Sequence, residues 1–120
     1  MAGEIIMYGI ANCDTIKKAR KWMQQHDVEY RFHNYKKDGT DPTQLANWAE
    51  QLGWERLINR RGTSWRKLDE DTRNQMDLAR ALEIMQQNPS IIKRPLIETA
   101  DGRLILGFDE AEYKKELLSA

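Results

Sequence analysis

The sequence predicts an α/β fold: a mixed four-stranded sheet with a helical region inserted between its two strand pairs. Three observations carry that expectation. A short apolar run near the start is followed, one amphipathic helix later, by an alternating run. Two further extended segments, joined by an Asp-Gly turn, lie near the end. Between the pairs, residues 43–88 carry helical periodicity and no strand signal.

The elements follow in order. Glu4 to Ile10 is short, apolar and ends near Gly9, the pattern of a buried strand. Asn12 begins a turn, and Ile16, Ala19, Trp22, Met23 and His26 then recur at helical spacing, with Lys17, Lys18, Arg20, Lys21, Gln24 and Gln25 on the other face. In 28–34, Val28, Tyr30 and Phe32 alternate with Glu29, Arg31 and His33, a second strand. Tyr35 to Pro42 reads as loop. Thr43 opens a helix with Leu45, Trp48, Ala49 and Leu52 on one face and Gly53 as its C-cap.

Residues 54–71 suit short helical pieces around Gly62. A continuous helix is expected over 72–87, with Leu78, Ala81, Leu82 and Met85 as its stripe and Asn88-Pro89 as its stop. Ile91 to Thr99 is extended, interrupted by Pro95, and returns through Ala100-Asp101-Gly102-Arg103 into Leu104-Ile105-Leu106. Asp109 caps the last helix, with Glu112 three residues on and Phe108 placed to staple against Tyr113. A βαβ unit, then a hairpin and a final helix, matches the thioredoxin plan. Its right-handed crossover makes the first two strands parallel. Residues 1–120 are read as one thioredoxin-like domain, with a helical insertion at about 43–88 in place of a single linking helix.

Composition narrows the function. At 120 residues, 40% hydrophobic and 32% charged, the chain can bury a core without staples. Nineteen basic residues cancel nineteen acidic ones, so binding to nucleic acid or an anionic membrane through the overall field is not expected. No apolar run approaches the ~20 residues of a membrane span. The start has no basic region followed by an apolar stretch, so a cytoplasmic protein is expected; a monomer is expected as well. Cys13 is the single cysteine, which excludes an internal disulfide and a cysteine-rich zinc site. His26 and His33 lack acidic or cysteine partners at ligand spacing, and no metal is expected. Phosphate-binding glycine loops and the serine-hydrolase elbow are both missing, which argues against nucleotide and hydrolase chemistry.

Three features remain. Cys13 falls between a strand end and a helix start, where unpaired amides favour an anion and can draw a thiol from about 8.5 into the ~3.5–7.5 range. Thr15 can add a hydroxyl donor there, whereas the Asp14 carboxylate opposes a thiolate. The bland alternative is a small buried side chain ending a strand. Arg94-Pro95 interrupts an extended run; either the bond is cis, or an ordinary trans proline opens a strand at Leu96, the commoner case by spacing alone. Asn59-Arg60-Arg61-Gly62-Thr63-Ser64-Trp65 sets two guanidinium groups beside a glycine, an anion site or a solvated loop.

Four blocks, taken in order, resemble a known family. They are Tyr8-Gly9-Ile10-Ala11-Asn12-Cys13-Asp14-Thr15, then 59–65, then Asn88 to Ile97, then Gly107-Phe108-Asp109-Glu110. From Ile5 to Leu117 the chain resembles the arsenate reductase-like (ArsC/Spx) proteins, and the wording of the blocks is most similar to the YffB branch. The resemblance implies a thioredoxin-like fold with Cys13 as nucleophile and Arg94 as the arginine before proline. Arg60 or Arg61 is the middle arginine, the alignment leaving both open. Asn12, Thr15 and Pro95 join them in a substrate or glutathione site, with Arg94-Pro95 cis and Pro95 opposite Cys13. Two departures stand out. Gly107 occupies the place of the third arginine of arsenate reductases, and Ile16 that of the second cysteine in the Spx redox pair.

The implied function is a glutathione-dependent thiol–disulfide oxidoreductase. It has no tightly bound cofactor; glutathione is the co-substrate and glutaredoxin a further candidate partner. The alternatives are a non-enzymatic, Spx-like regulator that binds RNA polymerase and a weak arsenate reductase.

Overall fold

The structure, a computed structural model, describes residues 3–118. In chain order its elements are β1 (Ile6–Gly9), α1 (Asp14–Gln25), β2 (Arg31–Asn34), α2 (Tyr35–Asp38), α3 (Pro42–Leu52), α4 (Trp54–Leu57), α5 (Thr63–Arg66), α6 (Glu70–Asn74), α7 (Leu78–Gln87), a 3-10 turn (Pro89–Ile91), β3 (Leu96–Glu98), β4 (Leu104–Leu106) and α8 (Glu110–Tyr113), which runs on as a π turn (Lys114–Leu118). They fall into two compact units. One joins the chain up to Asp38 with the segment from Arg94 onward; the other is Gly39–Lys93.

The first unit is built on a four-stranded sheet of order β2-β1-β3-β4. β1 and β2 run parallel, with Ile6 opposite Arg31 and Gly9 opposite Asn34. β3 runs antiparallel to β1, with Tyr8 opposite Leu96, and β4 runs antiparallel to β3. This mixed order, with α1 crossing from β1 to β2, is the thioredoxin-like topology. Lying centrally, β1 has all four residues buried.

α1 buries Ile16, Ala19, Trp22 and Met23. They pack with Met7, Ile97, Ile105 and Tyr113 as one cluster. Each such fully buried aliphatic side chain contributes roughly 1.5–3 kcal/mol. At the chain end the expected cap and staple form: Asp109 accepts from the Glu112 amide at 3.1 Å, and Phe108 meets Tyr113 edge-on at 5.0 Å. The Asp-Gly hairpin closes through Thr99, whose amide donates to the Arg103 carbonyl at 2.8 Å.

The second unit gathers Leu45, Trp48, Ala49, Leu57, Ile58, Ala81, Ile84, Met85, Ile91 and Ile92 into its interior. A short antiparallel bridge joins Ile58, just past α4, to Ile92, just past the 3-10 turn. The amide of Asn59 donates to the Ile91 carbonyl at 2.8 Å and that of Lys93 to the Leu57 carbonyl at 2.7 Å. The helical stretch expected at about 43–88 falls within this unit.

Several local expectations are corrected, and capping explains most of them. Residues 35–38 form a helical turn rather than loop. Asn34 accepts from the Lys36 amide at 3.0 Å while its own amide donates to Asp38 at 3.1 Å, a device too short to leave a periodic signal. Asp41, not Thr43, opens α3: its carboxylate accepts from the Thr43 amide at 3.0 Å, with Pro42 in the first helical position. The helix expected over 72–87 is two helices. Asp69 caps α6 through the Thr72 amide at 2.7 Å, and Asp77 caps α7 through the Arg80 amide at 2.8 Å. Leu78 is therefore a first-turn residue, 49% exposed, and Ile84 takes its place inside. His26 lies just past α1, exposed, its ring stacked on Trp22 at 4.2 Å. β2 is shorter than 28–34, and the 3-10 turn at 89–91 delays β3 to Leu96.

Candidate thiol site

Cys13 sits where β1 hands over to α1. Gly9 at the strand end lets the helix come close: a Cβ there would stand 2.3 Å from Ile16 Cδ1 and 3.9 Å from Arg94 Cβ. Cys13 is the N-cap of α1, with extended backbone (φ −144°, ψ 131°). Its side chain is half-buried and forms no disulfide.

As a neutral thiol Cys13 makes no capping hydrogen bond. As a thiolate it faces the amides of Ile16 and Thr15, the third and second residues of the helix, and the Arg94 side chain. Burial pushes the thiol up. Hydrogen bonds from the Ile16 amide and the Arg94 side chain, the Arg94 charge and the Thr15 amide outweigh it, leaving the thiol below its ordinary value. Such a group is ionised at lower pH than a free cysteine, and the thiolate is the nucleophilic form of a cysteine.

Arg94 reaches this point from the far side of the sequence. The Arg94-Pro95 bond is cis, and β3 begins at the next residue, paired with β1. Pro95 is buried, and its carbonyl accepts from the Gly107 amide at 2.8 Å. Gly107 has φ 89°, a left-handed conformation that favours glycine. Its carbonyl in turn accepts from the buried Tyr113 hydroxyl at 2.7 Å.

Of the residues singled out from sequence, Cys13, Thr15 and Arg94 come together in the first unit, Thr15 through its backbone amide. Asn12 is exposed in the bend before Cys13. Arg60 and Arg61 belong to the second unit, exposed on the turn before α5, where the Arg61 amide donates to Asn59 Oδ1 at 3.2 Å. Among the described residues no three His, Cys, Asp or Glu side chains converge to hold a metal.

Tyr35, in the segment expected to be loop, lies close enough to Arg94 to feel its charge. Tyr35 is 3% exposed, and its hydroxyl is buried without a hydrogen-bond partner among the described residues. Its ring stacks on Tyr8 at 6.3 Å and meets His33 at 5.9 Å. Burial, and Tyr8 beside it, push the phenol far up against the opposing Arg94 charge, so it stays neutral. Nothing in the local pattern of residues 35–42 signals a buried tyrosine.

The chain is similar to known proteins along nearly its whole length. An uncharacterized protein of Haemophilus influenzae is 46% identical over 110 residues, covering 92% of this chain and 96% of its own. The solved structure of a protein named YffB is 45% identical with a TM-score of 0.89, covering 94% of this chain and 98% of its own. The global transcriptional regulator Spx of Listeria innocua is 29% identical over 118 residues, 94% of this chain and 86% of its own. No helix among the described residues is long and apolar enough to cross a membrane. The model of the ArsC family matches residues 8–116, across Cys13, Arg94 and Gly107 alike, and the chain belongs to that family.

Proposed function

We propose that the chain is a cytoplasmic glutathione-dependent thiol–disulfide oxidoreductase that works through Cys13. The observation that carries this reading is the thiol held at a helix N-terminus with the Arg94 side chain upon it. The Cys13 thiolate attacks one sulfur of oxidised glutathione. A new S–S bond forms as the old one breaks, and glutathione leaves as a thiolate. Since Cys13 is the only cysteine, an outside thiol must attack the mixed disulfide, returning the Cys13 thiolate and carrying off the glutathionyl group as a disulfide. Glutathione or glutaredoxin supplies that thiol. Arg94 stabilises the thiolate and holds a carboxylate of glutathione; Asn12, Thr15 and Pro95 line the site.

The test is mass spectrometry of the protein after incubation with oxidised glutathione. A glutathionyl adduct confined to Cys13, and absent from Cys13→Ser, is expected. An inert thiol across the neutral pH range would leave Cys13 a packing residue only.

The likeness to Spx favours a second reading, a regulator that binds RNA polymerase. Cys13→Ser separates the two, since it abolishes thiol transfer but leaves a polymerase pull-down intact. A wild-type chain that retains polymerase yet transfers no thiol ends the enzyme reading.

A further inference from the structure

α1 carries a second chemical feature that the thiol step does not use. Ala11, Lys17, Arg20, Lys21, Gln24, Val28 and Tyr30 line an open groove of about 650 Å³. Three of these are cations and none is acidic. With nineteen charges of each sign in the whole chain, this is local segregation, not a basic composition. Lys17 and Lys21 are one helical turn apart, a spacing at which like charges weaken a helix. Neither has an ion-pair partner among the described residues.

Arg20 between them is fixed in place. Its Nε donates to the Tyr30 hydroxyl at 3.0 Å and its guanidinium lies 4.5 Å over the Phe32 ring. Those contacts leave its two terminal nitrogens for the forked pairing a carboxylate makes.

The groove lies close to the thiol in sequence: Ala11, two residues before Cys13, and Lys17, four residues after it, both line it. Lys17, Lys21 and Gln24 follow one another at spacings of four and three along α1, so they share one face, and Cys13 caps the same helix four residues before Lys17. From Cys13 to Gln24 the helix rises by about 16 Å at ~1.5 Å per residue. A chain in extended form needs about five residues to span that, at ~3.4 Å each, more than a tripeptide offers. We propose that this groove docks an acidic segment of the protein thiol that resolves Cys13. Charge complementarity selects the partner, and the half-buried Val28 and Tyr30 give its backbone a partly apolar floor. The proposal rests on the thiol-transfer reading above.

The test starts from Cys13 converted to its mixed disulfide with thionitrobenzoate, mixed with cysteine peptides that are neutral or carry about four acidic residues. The peptide thiolate attacks the disulfide, a new S–S bond forms as the old one breaks, and thionitrobenzoate leaves with the electron pair. At low ionic strength the acidic peptide reacts about tenfold faster than the neutral one, an advantage that largely vanishes at about 0.5 M salt. Lys17→Glu with Lys21→Glu removes the preference and leaves the neutral peptide's rate within about twofold. If that variant also slows the neutral peptide, Lys17→Gln with Lys21→Gln must still cut the preference at least by about half. Equal rates for the two wild-type reactions at low salt, or a preference that survives both variants, overturns the proposal. A wild-type mixed disulfide that no thiol resolves, glutathione included, defeats the thiol-transfer reading and this proposal with it.

Discussion

Gly9→Ala probes the joint between strand, helix and thiol. The added Cβ would lie 2.3 Å from Ile16 Cδ1 and 3.1 Å from Ile16 Cγ1, where carbon atoms prefer about 3.5–4.0 Å. Turning the δ-methyl aside costs little on a surface, but Ile16 is 0% exposed, so the methyl meets packed neighbours. Overpacking of this kind costs about 1–3 kcal/mol. The lower chain entropy of unfolded alanine offsets roughly 0.4–1 kcal/mol of it. A net loss of about 1–2 kcal/mol lowers Tm by roughly 4–8 °C at this chain length, read by thermal unfolding.

Two further readouts make that prediction specific. Ile16→Val deletes the clashing atom and by itself costs about 0.5–1.5 kcal/mol. Combined with Gly9→Ala it relieves the overlap, so the two effects couple by about 1 kcal/mol instead of adding. Because the Ile16 amide helps to hold the thiolate, Gly9→Ala also raises the pH midpoint of Cys13 alkylation by iodoacetamide. Strict additivity, or an unaltered Tm, would refute the account of Gly9 as the residue that seats α1.

Arg94→Ala raises the alkylation midpoint toward the ordinary cysteine value of about 8.5, and an unmoved midpoint would remove Arg94 from the site. The sign in stability follows from a thiol lowered in the folded state. Its contribution is complete above the ordinary value and fades as pH falls through the folded one, so the variant loses most at alkaline pH. Tyr35→Phe deletes a buried hydroxyl that has no partner among the described residues. Denaturant unfolding should show unchanged stability or a gain of about 1 kcal/mol, and a clear loss would mean the hydroxyl is paired. Arsenate turnover with glutathione and glutaredoxin should be poor or absent, since Gly107 offers no third guanidinium; robust turnover would contradict this. Gly107→Arg must adopt φ near 89° and loses about 1–2 kcal/mol, measured by chemical denaturation.

What the sequence determined by itself was local. The apolar face of α1, the Asp109 cap with its Phe108–Tyr113 staple, the Asp-Gly hairpin and the position of Cys13 at a helix start all depend on residues a few places apart. Periodicity and side-chain chemistry express them directly. The same locality set its limits: apolar spacing ran through 72–87 without registering that Asp77 restarts the helix, and Leu78 was placed inside when it begins a first turn. From the residues alone, Arg94 beside Pro95 was an oddity in an extended run, and only family resemblance tied it to Cys13. The tertiary structure brings them together because β3 pairs antiparallel with β1, setting Leu96 opposite Tyr8 and so bringing Arg94 level with the end of β1. Tyr35, buried just past the last residue of β2, is placed by the parallel pairing of β2 with β1, which sets Asn34 opposite Gly9, and Gly9 leaves room for Ile16 where α1 packs on the end of β1. Strand register is fixed by packing between distant segments, and no window of neighbouring residues contains it.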